Sequence, residues 1–341
     1  MSSSKIDPPS LQNIADACGL SCSSVSRALN HSADKSQLNP RTWARVRRVA
    51  KKMGYQVNAH ARALSSGRSN TAGLVFSGAM PMFDGVYQGV ISAFTEVLSE
   101  HDYQLALVPL APRSDLTRAL SGWMLDGCVS MQSLDPVAAD VFAQANMPCI
   151  LINGRSAGAS GSVSPDDRRG AREATEYLLG LGHRKIAMVA DLQIEKPHFS
   201  LYERRVGFES AMKDAGLSEN AIWIAADHDE AAARLTAPGC DITAVVCYSQ
   251  YEAAPLLGRL QAHGRRVPQD ISFISFNDVF PVGEMYPAVT AVSVPSEAMG
   301  RAAAEMLLRQ IRMGRPDVPS TLLLQESLIE RQSTARAADA V

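Results

Sequence analysis

Between residues 11 and 30 the chain reads LQNIADACGLSCSSVSRALN. The second half of this stretch sets Cys22, Ser23, Ser26 and Arg27 on the outer side, or near the N-terminal end, of one short helix, with Ser21 ahead of it and Asn30 closing it. Arg27 is the most informative of them. Its planar fork of N–H donors matches guanine O6 and N7, or a phosphate. The serines and Asn30 suit phosphate contacts or helix caps. Cys22 and Ser23 are short and make few long-reach bidentate contacts, so they carry no readable base preference. Together these residue types fit contact with a nucleic-acid duplex.

The same stretch supplies the elements that must hold them. Ile14, Ala15 and Cys18 fall on one face of a first helix, and Gly19 stands at its end, where positive φ costs glycine little. Leu20 plugs the space before a second helix. Ser21 is a suitable N-cap for that helix, because its hydroxyl can accept from a free backbone N–H. Val25, Ala28 and Leu29 form its buried stripe. Two helices joined by so tight a turn predict a helix-turn-helix whose second helix enters a DNA major groove. Residues 31–38 read as a polar loop. Asn39-Pro40 then starts a third helix running through about Met53, with Trp43, Val46, Val49, Ala50 and Met53 covering the first two. Trp43 reads as a core residue rather than a base-stacking one. Residues 59–64 predict a short helix capped by Asn58, too short to persist alone in water. It fits a hinge that folds on binding, or an ordinary flexible linker.

Charge separates this region from the rest. Residues 1–70 carry 11 Lys and Arg against 3 Asp and Glu, a balance of +8; the remainder carries 22 against 32, or −10. A basic module on an acidic body points to a polyanionic partner for the first part only. Six cysteines show no Cys-x-x-Cys pair and no disulfide framework, and read as buried thiols. Cys18 and Cys22 are split by the turn and lack the histidine pair of a zinc set, so no metal or cofactor is expected. There is no apolar secretion segment and no run of membrane-spanning length, which suggests the cytoplasm. Enzyme readings find no Gly-x-x-x-x-Gly-Lys loop, no Gly-x-Gly-x-x-Gly after a strand, no His-Glu-x-x-His and no serine elbow.

From Thr71 the pattern alternates short apolar strands with helices. Strands are expected at 72–76, 104–109, 127–131, 149–153, 185–190, 221–225, 243–247 and 271–276, with a last extended segment over 320–330. Helices are expected at 86–98, 116–123, 138–144, 168–180, 202–215, 230–235, 253–263 and 296–313. Near-continuous apolar strands mean parallel sheets covered on both faces. The fold class is therefore α/β, an all-helical N-terminal helix-turn-helix domain followed by two doubly wound parallel-sheet subdomains with a cleft between them. The boundaries are a disordered tail at 1–9, the helix-turn-helix at 10–57, hinge and linker at 58–70, and a core at 71–341. The core divides roughly into 71–178 with 293–322, and 179–292 with 323–341. Ligands of such sheets bind past the strand C-termini.

Residues 14–21 (IADACGLS) and 25–30 (VSRALN) resemble the helix-turn-helix signature of the LacI/GalR family of bacterial transcription regulators. Met53-Gly54-Tyr55, Asn58 and residues 61–64 (ARAL) resemble its hinge. Residues 81–83 (PMF), Asp126-Gly127, Pro148 with Asn153, residues 181–187 (LGHRKIA), Arg204 with Gly207-Phe208, residues 276–278 (FND) and residues 327–334 follow in family order. The resemblance spans nearly the whole chain.

It implies a periplasmic-binding-protein-like core in a homodimeric transcription regulator, read here as a repressor, on a pseudo-palindromic double-stranded operator, with a sugar or related metabolite as effector in the cleft. By the same resemblance Cys22 and Ser23 stand where bases are read, Tyr55 and Asn58 clamp backbone, and Leu64 wedges into the minor groove, kinking the duplex. Residues 31–38 are about three residues longer than the usual family loop. On the effector side the resemblance implies Phe83 as a stacking aromatic, with Arg204 and Asn277 binding hydroxyls or a carboxylate. Ser77, Met80, Ser249-Gln250 and Val294 replace common polar family residues, pointing to a less polar effector or to none. The competing hypothesis is a solute-binding protein without gene control. The basic head and the missing signal peptide weigh against it.

Overall fold

The computed structural model describes residues 9–30, 36–55, 68–77, 85–110, 125–131, 133–134, 136–156, 158–191, 198–314 and 320–338. The chain forms two compact units, one of residues 1–70 with 124–126 and one of the rest.

The first unit packs α1 (Leu11–Cys18), α2 (Cys22–Asn30) and α3 (Pro40–Lys52) around one small core. Ile14, Ala15, Cys18, Val25, Ala28, Val46 and Ala50 are buried in it, with Leu20, Leu29, Trp43, Val49 and Tyr55 packed at its margin. Ser10 and Asn13 cap α1 reciprocally, and Asn39 caps α3 ahead of Pro40. Met53 departs from expectation. It follows the last turn of α3 and is exposed, because the stripe that reaches the core ends at Ala50. The Asp126 carboxylate accepts from the backbone N–H groups of Ser69 and Asn70. The expected hinge helix at 59–64 and the helix at 116–123 lie outside the described residues.

The second unit holds two six-stranded sheets. The first comprises β1 (Thr71–Ser77), β2 (Gln104–Leu110), β3 (Gly127–Met131), β4 (Cys149–Ile152), β5 (Gly161–Pro165) and β11 (Thr321–Leu324), in the order β11-β5-β4-β3-β1-β2. All its pairings are parallel. The second comprises β6 (Ile186–Ala190), β7 (Ala221–Ala225), β8 (Ala244–Cys247), β9 (Ser272–Phe276), β10 (Thr290–Ser293) and β12 (Ser327–Ile329), in the order β12-β10-β9-β8-β6-β7. It is parallel except where β12 runs antiparallel along β10. The central strands are buried along their whole length, as expected where helices cover both faces.

The helices are α4 (Gly85–Glu100), α5 (Pro136–Gln144), α6 (Asp167–Gly180), α7 (Phe199–Asp214), α8 (His228–Leu235), α9 (Gln250–Ala262) and α10 (Ser296–Met313). Glycines allow two close helix contacts. A Cβ at Gly300 of α10 would lie 2.2 Å from the Val90 carbonyl oxygen of α4, and one at Gly207 of α7 would lie 2.1 Å from the Arg168 carbonyl oxygen of α6.

Three features differ from the sequence reading. Strands β5 and β10 were not expected, and the segment 320–330 divides into two strands that join different sheets. Helix α6 also packs with the second sheet, its Ala171, Ala174 and Leu178 lying against Ile186, Val246 and Ile274. The chain thus passes between sheets at Asp166, before that helix and not after it near 178. It passes back between β10 and α10, and a last time between β11 and β12. Among the described residues no helix is long and apolar enough to cross a membrane.

Candidate functional site

In the first unit, geometry turns on Gly19 and Ser21. Gly19 sits at φ 60° and donates its N–H to Ala15 and Asp16, ending α1. Ser21 Oγ then accepts from the N–H of Ser24, 3.3 Å away, which caps α2. On α2, Ser23 and Arg27 stand one turn apart and exposed. Arg27 has no hydrogen bond or ion pair among the described residues. Ser26 accepts from Asn30 Nδ2 at 3.1 Å, so these two side chains are partly committed to each other. Cys22 is turned inward: its Sγ donates to Gln12 Oε1 on α1 at 3.0 Å, and the side chain packs at the edge of the core. Tyr55 likewise lies half-buried against that core. Asn58 and Leu64 lie outside the described residues.

The basic residues of α3 divide into two groups. Arg45 Nη2 donates to the Cys18 carbonyl at 2.8 Å, satisfying the end of α1. Arg47 lies 4.6 Å over the Trp43 ring and reaches the Ala28 and Leu29 carbonyls at the end of α2. Arg48, Lys51 and Lys52 are exposed and without such ties among the described residues.

In the second unit, the functional candidates gather at the carboxyl ends of the strands, where the crossings between sheets lie. Arg204 of α7 is buried, with 4% of its surface exposed. Its Nε donates to Asp167 Oδ1 at 2.7 Å, its Nη1 to the Tyr248 carbonyl at 2.5 Å, and its Nη2 to Asn277 Oδ1 at 3.4 Å. The guanidinium also lies 4.0 Å over the Phe276 ring and 5.0 Å over that of Tyr248. Burial works against its charge, but Asp167 and Glu326 more than offset this and raise its pKa. The carboxylates nearest Arg204 along the chain, Glu203 and Glu209, pair with other arginines: Arg155 and Arg168 for the first, Arg205 for the second.

Asn277 follows β9 with φ 64°, and its Nδ2 donates to Gln250 Oε1 at 2.7 Å. The structure thus brings Arg204 and Asn277 together. Phe83, the third expected effector residue, lies outside the described residues. Asp278 pairs with Arg331 at 2.7 Å.

Residues the sequence did not mark complete this wall. His198 caps α7: its Nδ1 accepts from the Ser200 N–H, which leaves the Nε2 proton to donate to the Asn153 carbonyl after β4, at 2.9 Å. Burial lowers the His198 pKa, which the bond to Asn153 partly opposes. Ser200 Oγ lies 2.8 Å from the Tyr248 hydroxyl. Glu203 on α7 takes Arg155, from the loop after β4, at 2.9 Å, and Arg155 lies 4.3 Å over the Phe199 ring. The two lobes are therefore tied by His198–Asn153 and Glu203–Arg155. Ser249 donates to Glu252, whose pKa burial raises. The contacts that cross between the lobes left little signal, because His198 and Asn153, like Glu203 and Arg155, lie more than forty residues apart. Two larger cavities, of about 620 and 460 Å3, have Arg265, Val267, Tyr286 and Gln332 among the lining of the first, and Leu151, Arg155, Ser162 and Thr321 among that of the second. Neither includes Arg204 or Asn277.

Comparison with known proteins bears on both regions. Residues 175–334 match the family described as periplasmic binding protein-like domain. The HTH-type transcriptional regulator CelR of Thermobifida fusca is 30% identical over 342 residues, covering 95% of this chain and 98% of that protein. The solved complex of the transcriptional regulator CelR with cellobiose superposes with a TM-score of 0.66 at 29% identity, covering 95% of this chain and 99% of that one. The Lac repressor dimer, solved bound to operator and the anti-inducer ONPF, shares the fold with a TM-score of 0.78 at 21% identity, covering 96% of this chain and 100% of that one.

Proposed function

The chain belongs to the LacI/GalR family of HTH-type transcriptional regulators and is a DNA-binding regulator rather than an enzyme; from that premise we propose that it represses transcription as a homodimer on a pseudo-palindromic operator, under control of a small metabolite held in its cleft. The observation that carries the reading is Arg27, exposed and unpaired among the described residues on a helix that Gly19 and Ser21 set in place. Arg27 and Ser23 read bases, and Ser21, Ser26 and Asn30 touch phosphates. Cys22 supports the helix more than it reads, given its bond to Gln12. Tyr55 and Asn58 clamp the backbone, and Leu64 wedges the minor groove between half-sites. Acting on DNA, the protein works in the cytoplasm.

Tyr248 and Asn277, backed by the buried Arg204 and Phe276, form the floor of the effector site, and Phe83 is its stacking aromatic. Arg204 spends its donors on Asp167, Tyr248 and Asn277, so it presents Asn277 and Tyr248 to a ligand rather than offering a free fork. A relative solved with cellobiose supports a sugar-like effector. The effector acts only by binding one arrangement of the two lobes better than the other, and that difference, passed through residues 58–70, changes DNA affinity. Phe280 and Tyr286, 84% and 87% exposed, are large apolar side chains that support an interface between copies.

The test is selection of bound duplexes from a random pool by the full-length protein. A two-fold-related sequence should emerge, with affinity falling steeply as salt rises. Indifference to every duplex at low ionic strength overturns the reading. Metabolites screened against the selected complex then identify the effector.

A further inference from the structure

Glu326 stands at the last crossing from the first sheet to the second, between β11 and β12. Its side chain has no exposed surface, and neither carboxyl oxygen has a hydrogen-bond partner among the described residues. A Cβ at Gly170 of α6 would lie 1.9 Å from Glu326 Oε2, so the carboxyl is seated directly against that helix, in space that only glycine leaves open. Asp167, at the first crossing, is also buried, and its Oδ2 likewise has no hydrogen-bond partner among the described residues. One guanidinium serves both acids. Arg204 Nε lies 2.7 Å from Asp167 Oδ1, whereas Arg204 Nη2 lies 3.9 Å from Glu326 Oε1.

Two ionised carboxylates beside one cation, away from water, leave an uncompensated buried charge. Such a charge is costly, and the ordinary relief is for one carboxyl to hold a proton. Distance decides which. Asp167 has the close, charge-assisted contact, and Glu326 has only the remote one.

We infer that Glu326 is a neutral acid in this arrangement and a positioning residue for Arg204: when it gives its proton to solvent, the new carboxylate draws the guanidinium away from Asn277 and shifts the floor of the cleft. The consequence for regulation rests on the effector reading above; the proton itself does not. The charged groups facing Glu326 are Arg204 from α7, Asp167 and Glu173 from α6, and Asp166 just before it. Burial is the largest influence and Arg204 opposes it. The three acids add to it, and together they push the group up to about 8. The two carboxyls sit on separate crossings between the sheets, so a change of pull on Arg204 is felt where the lobes pivot.

The experiment is infrared spectroscopy of the full-length protein without effector, recorded well below and well above this value. In parallel, the Arg204 Nε–H resonance is followed by NMR. A buried, protonated carboxyl band should be present at the lower pH, vanish at the higher, and be missing from Glu326→Gln. The Arg204 resonance should move with the same titration in the wild type and stay fixed in Glu326→Gln. Asp167→Asn gives an independent check: with Asp167 neutral, Arg204 should turn to Glu326 and the band should vanish at neutral pH. A band that survives Glu326→Gln, its absence from the wild type, or an Arg204 signal indifferent to pH overturns the inference. None of these outcomes depends on effector or DNA.

Discussion

Arg27 and Arg204 are the same residue type in opposite settings. Arg27 is exposed and has no partner among the described residues, while Arg204 is buried and fully engaged. Arg27→Ala should lose about 1–3 kcal/mol of affinity for the selected operator and relax preference at one base position, as measured by titration against operator and scrambled duplexes. Unchanged discrimination would remove its base-reading role. Arg204→Met should instead act on stability, since it strands the buried Asp167 carboxylate; a loss of about 3–5 kcal/mol in chemical denaturation is expected. Glu326 sets a pH dependence of definite sign. Its folded pKa of about 8 exceeds the ordinary 4.5, so the folded state holds an extra proton between those values. Stability from this group is therefore full below about 4.5 and falls as pH rises to about 8, then levels. The denaturation midpoint of the wild type, minus that of Glu326→Gln, should follow this curve. His183 and His198, both lowered chiefly by burial, contribute the opposite slope near their ordinary range and cancel in the difference. The exposed placement of Arg27 on its helix was legible because its neighbours in sequence are its neighbours in space. The setting of Arg204 was not, because Asp167, Tyr248, Asn277 and Glu326 come from distant parts of the chain.

Elements were legible where local signals agreed. The turn at Gly19, the cap at Ser21, the Asn39-Pro40 start and the stripe of α10 each combine an end signal with apolar periodicity. Strand β5 reads GSVSP, small and half polar, yet it is buried throughout, since β4 and β11 flank it and Ser162 donates to Thr321 of β11. No alternation marks such a strand. The division of 320–330 into β11 and β12 was equally hidden, because an extended segment does not announce which sheet it joins. Close helix contact yields a prediction at this scale. Gly300→Ala would press a methyl group onto the Val90 carbonyl and force α10 from α4, so a loss of about 1–3 kcal/mol is expected in thermal or denaturant unfolding. A variant as stable as the wild type would mean that the two helices part without cost.

For the whole molecule, charge asymmetry was the clearest sequence signal: +8 over residues 1–70 against −10 elsewhere. It separates a polyanion-binding unit from an acidic body that DNA does not attract. Association of two copies is the expectation hardest to read in one chain, for it rests on side chains that fill no core. Tyr286→Asp combined with Phe280→Asp should shift the protein from dimer to monomer in sedimentation equilibrium. Operator affinity should fall with the loss of the second half-site, while the spectrum of the folded chain stays unchanged. A dimer that survives both changes would place the interface elsewhere.

The last strands carry a consequence for the making of the protein. β11 closes one edge of the first sheet and β12 one edge of the second, and both come after residue 320. A chain emerging from the ribosome presents its basic head before its body, and it can finish neither sheet until the residues beyond 320 have been made. A premature stop after α10 would strip both lobes at once, leaving β5 and β10 as raw edges open to pairing with other chains. Quality control should therefore meet such a fragment as an aggregating species, not as a shortened regulator.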